Sequence, residues 1–104
     1  MMENNMHTNV SVKIIWLTSI EGGRQSPPPL TGIYYPITQL PYEPNSWSLA
    51  IKIIYTWQES EHWISEGDMQ FLVEHAPHHL LKELKQIEIY EGPKKVADVF
   101  IQFK

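Results

Sequence analysis

Val10, Val12, Ile14 and Trp16 put an apolar side chain at every second position, with Ser11 and Lys13 between them. Side chains alternate across a strand but repeat about every 3.6 residues around a helix, so this spacing describes a strand with one buried face. The rhythm returns in Trp47, Leu49, Ile51, Ile53 and Tyr55, in Met69, Phe71 and Val73, and in Ala97, Val99, Ile101 and Phe103. Turn-forming residues separate these runs: Glu21-Gly22-Gly23-Arg24, Pro41 to Ser46, Gly67-Asp68, and Glu91-Gly92-Pro93-Lys94. Short strands punctuated in this way describe an all-β barrel or sandwich.

Paired glycines tolerate the positive φ that hairpin turns need, so Glu21–Arg24 is expected to join a first strand, starting at Val10, to the next strand. Pro27-Pro28-Pro29 cannot donate ladder hydrogen bonds and belongs outside a central strand. Tyr34 to Leu40 is a short strand with Pro36 on an edge or at a bulge. Residues 57–67, with their acids, Trp57 and Trp63, are expected to form a loop ending in a turn at Gly67-Asp68. Pro77 suits a first helical turn, Leu80, Leu81 and Leu84 share one side, and Lys82 and Lys85 favour a helix C-terminus, so one short helix is expected near 77–86. Residues 1–9 read as a flexible lead-in and 10–104 as a single β-barrel domain.

A chain of 104 residues makes one domain. It can bury roughly 60–70% of its unfolded surface, enough to fold without staples. It holds no cysteine, which excludes disulfides, a thiol nucleophile and a thiolate metal site. The formal charge is −4, and residues 1–81 carry only Lys13, Arg24 and Lys52 against eight acids. Five lysines follow in 82–104 against four acids, so nucleic acid is disfavoured as a partner. No signal-length apolar run opens the chain and no stretch approaches the ~20 apolar residues of a membrane span. A cytoplasmic protein with no membrane partner is therefore expected.

Taken in order, several stretches resemble the C-terminal β-barrel, the third domain, of elongation factor Tu. Glu21-Gly22-Gly23-Arg24-Gln25-Ser26-Pro27 is similar to the family's Glu-Gly-Gly-Arg-His-Thr-Pro. Gly32-Ile33-Tyr34-Tyr35-Pro36 resembles its Gly-Tyr-Arg-Pro segment, and Tyr90 to Ala97 its Arg-Glu-Gly-Gly-Arg-Thr-Val-Gly. Gly67-Asp68 stands where the family has a Pro-Gly-Asp turn. The resemblance spans about residues 10–103 and implies a six-stranded antiparallel barrel. In that family the barrel meets the GTPase domain, the exchange factor and the T-stem of tRNA. No Gly-x-x-x-x-Gly-Lys-Ser/Thr loop exists here, so no GTPase is implied. Tyr35 replaces an arginine, Gln25 a histidine and Pro93 a turn glycine, which favours a protein partner over tRNA.

Among the residues that could carry chemistry, His75, His78 and His79 follow Glu74, but Pro77 interrupts any helix joining His75 to His79, and no third ligand is evident. Neither a metal nor another cofactor is expected. Glu59, Glu61, His62, Glu66 and Asp68 could supply an acid–base pair only in a concave site, which an acidic loop seldom provides. No Gly-x-Ser-x-Gly elbow is present, and the chain is not expected to be an enzyme. Trp57 and Trp63 are anchors for a partner if exposed, or cover for the barrel end if buried. Arg24, Lys94 and Lys95 either form a basic tip or simply solvate two turns. The expected function is non-catalytic protein binding, with Arg24, Trp57, Trp63, Lys94 and Lys95 as partner-binding residues. An RNA- or tRNA-contacting translation-related protein and a small metal-dependent hydrolase are the alternatives. The sequence specifies no oligomeric state.

Overall fold

The computed structural model describes residues 9–41 and 43–102. The expected lead-in before Asn9, Tyr42 in the expected loop and the expected inward face of Phe103 lie outside the described residues. The strands are β1 (Val10–Trp16), β2 (Gly32–Tyr34), β3 (Ile37–Gln39), β4 (Ser46–Glu59), β5 (His62–Phe71), β6 (Gln86–Glu91) and β7 (Lys94–Gln102), with a helical turn, α1 (Leu80–Glu83), before β6. All pairings are antiparallel, in the order β4-β3-β6-β7-β1-β5, and β5 returns to β4 to close the ring. The result is a closed six-stranded antiparallel β-barrel with one short helix; the alternation left barrel and sandwich open, and the barrel is the form taken.

Seven labelled strands make six walls because β2 and β3 are one strand in a single register against β4. Gly32 faces Ile53 and Tyr34 faces Ile51, while Ile37 faces Ser48 and Gln39 faces Ser46. Between them the Pro36 carbonyl accepts the Leu49 N–H at 2.9 Å, but proline has no N–H to return, and the ladder is interrupted there. The opposite edge of this strand is joined sparsely. β3 meets β6 through the Ile37–Tyr90 pair and through the buried Thr38 hydroxyl, which donates to the Glu88 carbonyl at 2.7 Å.

Val12, Ile14, Leu49, Ile51, Met69, Phe71, Ile89 and Val99 fill the interior, in agreement with the alternation. Two bulges break that alternation. In β4 the register against β5 shifts between Ile53 and Tyr55, so Ile54 is an extra residue. Tyr55, expected to face inward with Ile53, is therefore turned out and exposed. In β7 the register against β6 shifts opposite Ile89 and Tyr90, which leaves the consecutive Val96 and Ala97 both buried.

Three expected connections take other forms. The stretch 57–67 is not a loop. β4 runs to Glu59, β5 starts at His62, and Ser60-Glu61 is the turn, with Ser60 at φ 59. Gly67-Asp68 is not a turn but mid-strand, and its glycine is required by a close approach: a Cβ there would lie 2.1 Å from the Lys52 carbonyl oxygen. Glu21–Arg24 is not a hairpin either, because both edges of β1 are occupied by β5 and β7. It is a local turn within the connection 17–31, where Gly22 has φ 97 and Gly23 packs against Leu17. The helix is shorter than 77–86. The Leu80, Leu81 and Lys82 amides make i to i+3 bonds to Pro77, His78 and His79, and Leu84 is already extended.

Candidate functional site

In an antiparallel barrel the connections alternate between the two ends. The first, third and fifth connections, 17–31, Ser60-Glu61 and Gly92-Pro93, share one end. Arg24, Trp57, Trp63, Lys94 and Lys95 all lie on or beside these connections, so the fold brings the five residues to the same end of the barrel.

Two of the turns are bonded to each other. Arg24 donates through Nη1 to Glu91 Oε2, and the Tyr34 hydroxyl donates to the same oxygen. Lys94 Nζ lies 3.5 Å from the Gly23 carbonyl. Burial and then the Glu91 carboxylate hold the Tyr34 hydroxyl well above its ordinary pKa, because ionising it would set a second anion beside the first. Lys95 is bound on the outer wall by Asp98 at 2.9 Å and Glu88 at 3.1 Å. Asp98 first, then Glu88, raises its pKa, while Lys95 and the Tyr90 hydroxyl lower that of Glu88. Arg24 and Lys95 are thus engaged with carboxylates, and they do not form a shared cationic tip.

Residues facing each other across an antiparallel pair project to one side. Thr56 and Ser65 point inward, so Trp57 and Ile64 point outward, and Gln58 and Trp63 point inward again. The two tryptophans therefore occupy opposite faces of one hairpin. Trp57 stacks on Tyr55 with ring centroids 5.3 Å apart and planes 29° apart. Tyr55 donates to Glu66 at 2.5 Å, which raises the phenol pKa. Ile64, only 5% exposed although it faces outward, is flanked by Trp57 and Ile15 in the neighbouring strands.

Trp63 instead packs partly on the core and lines an open cleft of about 240 Å³ at the barrel mouth with Arg24, Pro27, Pro28 and Glu61. From Trp16, which also lines the cleft, a directed chain of hydrogen bonds runs to the proline segment. Trp16 Nε1 donates to Ser65 Oγ at 2.8 Å, and Thr56 Oγ1 donates to the Pro29 carbonyl at 3.0 Å. Because the Thr56 hydroxyl has one proton, Ser65 must be the donor in the 2.6 Å contact between them. The chain ties the proline segment to the barrel. On the rim, Glu21 accepts from the Thr18 backbone N–H at 2.8 Å and meets His62 at 3.0 Å. The first contact and then the second hold its carboxyl below the ordinary 4.5.

His75, His78 and His79 lie at the other end, beside α1. His75 packs edge-on against Trp47 at 5.6 Å and His78 against Phe71 at 5.7 Å. His78 Nε2 donates to the Glu74 carbonyl at 2.8 Å. Among the described residues no group of three or more histidines and acids is placed to hold a metal ion, and no helix is long and apolar enough to cross a membrane. Glu59, Glu66 and Asp68 project from the outer wall and Glu61 from the turn, rather than into one shared cavity. The chain matches no protein-family model, no curated protein and no solved structure.

Proposed function

We propose that the protein is a non-catalytic binding module that engages a protein partner through the end of the barrel carrying the Ser60-Glu61 hairpin. The observation that carries this reading is the hairpin itself. One short element displays a stacked Tyr55–Trp57 shelf on its outer face, with Tyr55 exposed and Trp57 half-buried, and the Trp63 cleft on its inner face. Rigid aromatic side chains lose little entropy on contact and are the residue types that dominate interface energies. Two bonded turns, Arg24 to Glu91 and Lys94 to Gly23, fix the surface beside it, and a fixed surface binds more tightly than one that must be ordered. Acids outnumber free cations there, which favours protein over RNA.

The resemblance to the third domain of elongation factor Tu is part of the same proposal: a barrel of that architecture that binds through its turns. Immobilised wild-type protein and the variants Trp57→Ala, Trp63→Phe and Leu72→Ala, the last an exposed control at the other end, are compared in capture from native lysate. A specific partner retained by Leu72→Ala and lost with Trp57→Ala is the expected result. Identical captured sets for all variants, each verified as folded by circular dichroism, would refute the reading.

A further inference from the structure

We infer that the Trp63 cleft accepts an arginine side chain from the partner, an assignment that rests on the binding reading above and names the group recognised. The first argument is charge. Among the described residues Arg24 is the one cation lining the cleft and is neutralised by Glu91, while Glu61 lines the cleft with no side-chain hydrogen bond or ion pair to any of them. Glu59 stands next to the turn in the same unpaired condition, and Glu21 is occupied by His62. An arriving anion meets a surplus of carboxylates, and an arriving cation finds one waiting.

The second argument is the balance of donors and acceptors. The Pro27–Pro28 wall has no N–H to donate, because proline has none, and the Pro27 carbonyl already accepts from Arg24 Nη2 at 3.5 Å. Glu61 is acceptor-only when ionised. Thr18, Ser19, Gln25 and Ser26 on the other sides bring donors as well as acceptors, but the side where Glu61 meets the proline wall suits a group rich in donors, and guanidinium brings five N–H donors on a flat, weakly hydrated frame. Trp63 supplies the aromatic surface on which such a cation is most favourably placed. The third argument is size. At about 240 Å³ the cleft is smaller than the ~300–1,000 Å³ of drug-sized ligand sites, which suits a single side chain.

The probe is the peptide acetyl-Gly-Arg-Gly-amide, titrated into ¹⁵N-labelled full-length protein while the tryptophan indole N–H signals are followed. The lysine and citrulline analogues separate charge from guanidinium shape, since citrulline keeps the shape and loses the charge. The arginine peptide is expected to shift the Trp63 indole signal saturably, with a Kd on the order of 1–10 mM, reasonable for one side chain. Lysine should bind more weakly and citrulline should not saturate. Glu61→Gln, a change at an exposed turn that leaves the fold intact, should weaken arginine binding about five-fold, the scale of one partly exposed charge pair. No saturable shift, an equal response to citrulline, or binding unchanged by Glu61→Gln would each overturn the assignment. If Trp57→Ala still abolishes partner capture in that event, the binding module stands and only the arginine assignment falls.

Discussion

Replacing Gly67 with alanine probes the feature that shapes the site, the bulge of β4 over β5. Gly67 faces Ile53, the last residue before Ile54 is squeezed out of register. A Cβ at position 67 would lie 2.1 Å from the Lys52 carbonyl oxygen, 3.0 Å from its carbon and 3.1 Å from the Ile53 Cα, where ordinary contacts begin near 3.4 Å. All three atoms are backbone, so no rotamer change relieves the overlap. The strands must separate, or the bulge must move. Separation at the middle of the β4–β5 ladder loses two or three backbone hydrogen bonds at about 1 kcal/mol each, on top of about 1–3 kcal/mol of overpacking. The sum is about 3–6 kcal/mol, a large share of the ~5–15 kcal/mol that holds a small domain together. Urea unfolding followed by circular dichroism should show the midpoint falling steeply, while Gln70→Ala on the outer face of β5 costs less than about 0.5 kcal/mol. Any folded fraction should also show altered Trp57 emission, because the bulge turns Tyr55 and Trp57 outward. A loss under about 1 kcal/mol with unchanged emission would refute the argument that glycine is required there by close approach.

Three further outcomes follow from single residues. Ser60 sits at φ 59, a region that costs a non-glycine residue about 1 kcal/mol, so Ser60→Gly should stabilise the protein by about 0.5–1 kcal/mol in urea titration. The Tyr34 hydroxyl, raised from 10.0 by burial and Glu91, should ionise last among the five tyrosines in an absorbance titration. Its contribution is full below pH 10 and is lost as the pH climbs towards the folded value, so Tyr34→Phe should remove that alkaline component from thermal melts. Glu21 is held below 4.5 by the Thr18 amide and then His62, so its contribution is present above that pH and lost as the pH falls through the lower folded value. The melting temperatures of wild type and Glu21→Gln should therefore converge in acid, and a constant gap would show that the carboxylate charge has no part in the turn.

Where apolar alternation ran unbroken, the strand and its buried face were legible, as in Val10–Trp16, Met69–Phe71 and Val99–Ile101. The Gly92-Pro93 hairpin and the position of the helical turn were also marked by residue type. The bulge at Ile54 was not, because nothing in Ile53-Ile54-Tyr55 distinguishes an extra residue from a paired one. Its mark lies on the facing strand, in Gly67, and a glycine before an aspartate reads as a turn until the partner backbone is known to pass over it. Ser60-Glu61 was missed for the opposite reason: it holds a hairpin geometry with neither glycine nor asparagine. The Gly22-Gly23 pair misled because a turn sequence reports local bending and says nothing about which distant strands already occupy the edges of β1.

The site follows from parity more than from any motif. Once the strands are taken as antiparallel and consecutive, every odd-numbered connection must fall at one end, and the turns near 24, 60 and 93 belong together before any contact is known. What parity cannot supply is the pairing within that end. It does not show that Glu91 takes the charge of Arg24, or that Asp98 and Glu88 take that of Lys95. It also cannot assign faces, because a single extra residue at position 54 exchanges in for out along the rest of β4. Without that bulge Thr56 would leave the Trp16–Ser65 chain and Trp57 would turn inward, leaving the outer wall without its aromatic shelf. The aromatic shelf is therefore made by an irregularity, and removing it should cost the shelf and the stability of the mouth together.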